Sequence, residues 1–86
     1  MSAFVDAYVQ VQTEIRDGGL RDEGHDLLLQ SYRQGIRDAH NDKRSAPPMV
    51  NNHKLVEAME GFASLLRDVY SEGWNDGAMW EKLTVR

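Results

Sequence analysis

The sequence predicts an all-α, three-helix domain in which a short helical hairpin packs on a long C-terminal helix, and three observations carry that reading. Apolar residues recur at steps of three and four in three segments; a Gly-Gly pair and a Pro-Pro pair separate those segments; and one pattern occurs twice. Leu27-Leu28-x-x-x-Tyr32-x-x-Gly35-x-x-Asp38-Ala39 returns as Leu65-Leu66-x-x-x-Tyr70-x-x-Gly73-x-x-Asp76-Gly77. A glycine inside a good helix former costs about 1 kcal/mol against alanine, so its presence twice in one register points to close approach by another backbone. The echo marks a packing surface in preference to a reaction centre.

The first helix is expected over about residues 2–17. Ser2 is its candidate N-cap, and Phe4, Tyr8, Val11 and Ile15 follow at 4-3-4 spacing, with Val5 and Val9 widening the stripe. Gly18-Gly19 should close it by supplying the positive φ of a C-terminal cap. The second helix, about 21–41, opens near Leu20–Asp22 with the acidic pair Asp22-Glu23 suited to the positive end of a helix dipole. Its stripe is Leu28, Leu29, Tyr32, Ile36 and Ala39, with Leu27 well off it and facing a second neighbour. A polar linker over 42–50 ends in Pro47-Pro48, which cannot continue a helix.

The third helix, about 51–83, starts at Asn51 or Asn52. Its apolar positions Leu55, Met59, Phe62, Leu66, Val69, Gly73, Gly77 and Trp80 fall at steps of 4-3-4-3-4-4-3, close to the period of a coiled-coil seam. About 30 residues at 1.5 Å each make a rod of about 45 Å, longer than either shorter helix covers. Part of the seam is therefore expected to be left for a second chain.

Composition narrows the function. A chain of 86 residues is a single domain whose small core only marginally offsets the entropy of ordering it, which favours oligomerisation. There is no cysteine, so neither disulfides nor a thiolate metal site can staple the fold. The formal charge of −4 opposes wholesale phosphate binding. The first residues lack a signal-peptide pattern and no stretch reaches the about 20 apolar residues of a membrane span, so a cytoplasmic protein off the membrane is expected.

Several constellations invite a functional reading. Gly73-x-x-x-Gly77, ringed by Tyr70, Trp74 and Trp80, forms a shallow groove on the apolar face. Either another chain or an intramolecular neighbour fits it; Leu66, Val69, Tyr70, Gly73 and Gly77 are the candidate self-association set, making a homodimer. Asp68, Glu72 and Asp76 line up at i, i+4, i+8, and with Trp74, Trp80 and Met79 they are the candidate partner-binding surface. The row also raises a magnesium hydrolase, since all-α nucleotide pyrophosphohydrolases pair Glu-x-x-Glu with Glu-x-x-Asp. Here Glu57-x-x-Glu60 is followed by Glu72-x-x-Asn75, and in one continuous helix Glu60 and Glu72 stand about 18 Å apart, too far to share an ion.

His25, His40 and His53 lack zinc-ligand spacing, and Asp22-x-x-His25 is an isolated pair; His25 on the apolar face is expected to be half-buried and hydrogen-bonded. Arg33, Arg37, Lys43 and Arg44 make a thin basic flank, the basis of a weaker nucleic-acid alternative. No nucleophile-base-acid arrangement is visible, so neither catalytic residue, metal nor cofactor is assigned and a non-enzymatic protein is expected.

In size, acidity and the run Tyr70-x-x-Gly73-Trp74-x-x-Gly77, the chain resembles small acidic helical proteins encoded by bacteriophages and mobile elements, anti-CRISPR inhibitors among them. The resemblance covers the last third of the chain and transfers no residue role. It implies a stoichiometric inhibitor that occludes a basic nucleic-acid-binding host or defence complex, with Asp68, Glu72 and Asp76 as first candidates for the contact.

Overall fold

The computed structural model describes residues 2–47, 49 and 52–84, the side chains of 80–84 excepted. The described residues form four helices and no strand: α1 (Ala3–Glu14), α2 (Gly18–His40), α3 (His53–Ala58) and α4 (Phe62–Thr84). The all-α class is as the sequence predicts. The helix count is corrected from three to four.

Ser2 caps α1, its hydroxyl accepting from Val5 N at 3.3 Å. The helix stops before residue 17, because Ile15 is extended and Asp17 is already the N-cap of α2, accepting from Leu20 N at 3.0 Å. Gly18 and Gly19 are thus the first turn of α2, neither with positive φ, and the sequence reading of them as a cap for α1 is overturned. A side-chain cap at Asp17 satisfies an amide that a glycine cap would leave open. At its far end α2 closes in a Schellman motif. Asp42 sits in the left-handed region at φ 57°, Asp42 N donates to Ala39 O, and Lys43 N donates to Asp38 O at 2.8 Å.

The expected rod over 51–83 is broken. Asn52 caps α3 through its side chain, which accepts from Lys54 N at 2.9 Å and Leu55 N at 3.4 Å, and α3 lasts six residues. The chain then turns through Met59–Gly61. Gly61 adopts φ 86°, a conformation costly for any residue with a Cβ, and α4 begins at Phe62. The break folds the stripe inward without interrupting it. Leu55, Met59 and Phe62 are all buried, packed in one core with Ala7, Val11, Ile15, Leu28, Leu66 and Val69. At about 1.5–3 kcal/mol per large apolar side chain, this single cluster is the main favourable term of the fold.

The principal helix contact is α2 on α4, and the repeated motif makes it. A Cβ on Gly35 would collide with the carbonyl of Tyr70 and stand 2.7 Å from Trp74 N; a Cβ on Gly73 would collide with the carbonyl of Tyr32. The two Tyr-x-x-Gly segments therefore cross face to face within one chain. Gly77 continues the contact against Ile36, where a Cβ on it would stand 2.9 Å from the Ile36 Cα. The seam that seemed too long for one protomer is enclosed from Leu55 to Gly77 by the bend at Gly61 and by α2.

Candidate functional site

The five residues assigned to self-association lie inside the protomer. Leu66, Val69 and Tyr70 are at most 2% exposed, and Gly73 and Gly77 are buried under α2. The physical reason is the glycine crossing, which brings backbones too close for anything to intervene. Tyr70 also carries polar work. Its hydroxyl donates to Asp38 Oδ2 at 2.5 Å and accepts from Ala46 N at 3.1 Å, while Gln34 Nε2 donates to Asp38 Oδ1 at 2.7 Å. The hydrogen bond from Tyr70, aided by Gln34 and the nearby Lys43 and Arg37, holds the Asp38 carboxyl below its usual range, and burial pushes the Tyr70 phenol up. This pair ties the segment after α2 to the centre of α4.

The acidic row divides into separate jobs. Asp68 is exposed. Glu72 faces the start of α1: its Oε1 accepts from the Ser2 hydroxyl at 2.8 Å and Phe4 N at 3.0 Å, and its Oε2 accepts from Ala3 N at 2.6 Å. Burial alone would raise Glu72, but those three donors outweigh it and hold the carboxyl below its ordinary value. A carboxylate at the positive end of a helix with orphan amides is a favourable arrangement, and it docks α1 on α4. Asp76 accepts from the Tyr32 hydroxyl at 2.5 Å, which with burial pushes the phenol up to about 12. Trp74 is half-buried and its Nε1 donates to Lys43 O at 3.0 Å. Met79 is exposed, and the side chain of Trp80 lies outside the described residues.

Among the described residues no three His, Cys, Asp or Glu side chains come together to hold a metal ion. Glu57 and Glu60 are exposed around the α3–α4 turn, and Glu72 spends both oxygens on α1. His25 is half-buried as expected: its ring stacks on Tyr8 at 3.8 Å, and its buried Nε2 lacks the expected hydrogen-bond partner among the described residues. Arg33, Arg37, Lys43 and Arg44 are all exposed. An open groove of about 850 Å³ lies between α2 and the start of α3, over Leu27 and Leu66, with Glu23 and Asn52 joined at 2.7 Å beside it.

One feature escapes the sequence reading. Val5, Tyr8 and Val9, read there as part of the buried stripe, are 55%, 43% and 57% exposed, and Leu29 is 39% exposed. Tyr8 stacks on His25, one turn from Leu29, and Phe4 packs on Tyr32 with ring centroids 5.6 Å apart. Together they form an apolar strip along the outer seam of α1 and α2. Its surroundings are charged. Residues 2–32 hold six acidic and two basic side chains, whereas the rest of the chain carries eight of each, so the entire formal charge of −4 belongs to this segment. No described helix is long and apolar enough to cross a membrane. Comparison adds no family to this geometry: no protein-family model, curated protein or solved structure matches the chain.

Proposed function

We propose that the chain is a non-enzymatic protein-binding module, working in the manner of a small inhibitor that covers a surface of a host or defence complex. The observation that supports it is the strip Val5, Tyr8, Val9 and Leu29, which stands exposed on a helix pair whose buried face packs into the core. Exposed apolar side chains with an aromatic among them are what partner surfaces use, and here they are mounted on regular helices. The acidic row contributes less than its spacing implies, since Glu72 and Asp76 have partners within the chain. Contact by Asp68 and Met79 remains open to a partner on the opposite side. The alternatives, a metal-dependent hydrolase and a nucleic-acid-binding regulator, have no comparable feature in their favour.

A photo-crosslinking residue placed at Val9, and in parallel at Glu57 on α3, tests the reading in cells. Adducts to a discrete protein from Val9 and none from Glu57 support it. Equal labelling from both positions removes the privileged surface.

A further inference from the structure

Resting on that reading of the α1–α2 strip as a docking face, we infer that its occupant is a cationic amphipathic segment of another protein, a helix with apolar residues on one side and Lys or Arg flanking them. The inference comes from what borders the strip. Asp6 precedes Val9 by three residues, Asp22 precedes His25 by three and Asp26 precedes Leu29 by three, so each stands on the neighbouring turn of the same helix surface. All three are exposed; the bases on the same surface are Arg21, one turn before His25 and donating to Ile15 O at 3.3 Å, and Arg33, one turn beyond Leu29. The other acids of this segment are engaged elsewhere or lie farther off: Asp17 caps α2 and Glu23 accepts from Asn52.

Charge selects among occupants. A second copy docked strip to strip would bring Asp6, Asp22 and Asp26 against an acidic rim like their own, and anionic lipid or nucleic acid would meet the same repulsion. A basic rim around an apolar centre meets attraction at the edge and burial in the middle, which is how helix-in-groove recognition divides specificity from affinity. Val5 to Val9 and His25 to Leu29 run side by side, one turn each, so the strip is about 6 Å long and a partner helix engages it with one to two turns.

Two labelled helical peptides of about 18 residues serve as probes, one of leucine and lysine with leucines at i, i+3, i+4 and i+7, the other identical but with every lysine replaced by glutamate. Fluorescence anisotropy should show the lysine peptide bound at least about tenfold tighter, with affinity falling as salt rises. Val5→Gln combined with Val9→Gln should weaken it about tenfold, and Asp6→Asn with Asp22→Asn and Asp26→Asn by about as much, while Glu57→Gln with Glu60→Gln leaves it unchanged. These side chains are exposed, and each variant is to be checked for folding by circular dichroism.

Equal loss in the Glu57/Glu60 variant would reduce the effect to unspecific charge attraction and overturn the proposal. Equal binding of both peptides, abolished by the valine changes, overturns the cationic partner while leaving the docking face and the crosslinking result standing. Light scattering that shows a dimer dissolved by Val9→Gln assigns the face to a second copy and likewise overturns it.

Discussion

Two helices pack on α4 by different means, and the contrast shows which parts of this small domain are fixed by shape and which by chemistry. Helix α2 meets α4 through glycines whose absent side chains let backbones touch, flanked by two phenol–carboxylate hydrogen bonds, Tyr32 to Asp76 and Tyr70 to Asp38. Helix α1 meets α4 through apolar side chains on one face and, at its start, through one carboxylate that gathers three donors from Ser2, Ala3 and Phe4. The first joint is intolerant of a single methyl group, and the Tyr32 phenol beside it is pushed up to about 12, so that its response to base comes only at high pH. The second accepts modest changes of shape but depends on a charge.

The largest expected effect falls on the first joint. Gly73→Ala, and separately Gly35→Ala, drives a Cβ into the opposing backbone carbonyl and should cost about 3 kcal/mol or more, abolishing a cooperative urea transition. A transition that survives with its midpoint unchanged would mean the helices do not cross there.

Glu72→Gln comes next, at about 1–3 kcal/mol, because it removes the charge from three hydrogen bonds at a helix start. Acid should do the same. A carboxyl held below its ordinary value contributes stability that is fully present above the unfolded carboxylate value of about 4.3 and is lost as pH falls through the folded value. Urea unfolding of the wild type should thus weaken more steeply below about pH 4.5 than that of Glu72→Gln. Parallel curves would remove Glu72 from the joint.

Tyr70→Phe should act more locally. It leaves Asp38 and Ala46 N without their shared hydroxyl, and trypsin cleavage after Lys43 or Arg44 is expected to quicken about fivefold as the segment loosens. Unchanged cleavage would show that the network does not restrain it. Smaller again is the alkaline effect at Tyr32. A phenol raised to about 12 contributes stability that is complete below about pH 10 and lost as pH climbs toward the folded value. Asp76→Asn should bring its titration, followed by the ring resonances, back toward the ordinary tyrosine range; an unmoved titration would deny the bond. Smallest is Val9→Gln, which should leave stability within about 0.5 kcal/mol because the side chain already faces solvent.

How much of this was legible in the sequence varies by element. The N-cap at Ser2, the second helix and the apolar stripe through Leu55, Phe62, Leu66 and Val69 follow from spacing alone, since burial obeys that periodicity. The break at Gly61 does not, because the stripe runs through it in unbroken 4-3 steps and a lone glycine also sits inside helix at Gly73 and Gly77. The echo was correct in kind, a packing surface, but spacing cannot say which two faces meet. That the copies would meet each other could have been suspected from their matching small-residue grooves. For the candidate site, the exposure of Val5, Tyr8 and Val9 was hidden because α1 has apolar residues on more than one face and only tertiary packing chooses between them. The i, i+4, i+8 acidic row was visible, yet nothing local reveals that the start of α1 rests on Glu72.

The most direct test is amide hydrogen exchange of Glu72→Gln against wild type at neutral pH, read helix by helix. Amides of α1 should exchange about tenfold faster or more while those of α2 and α4 keep their protection, as separate joints require. Faster exchange spread evenly over all the helices, or an α1 no less protected than before, would contradict the division of the molecule into a shape-locked pair and a charge-held clip.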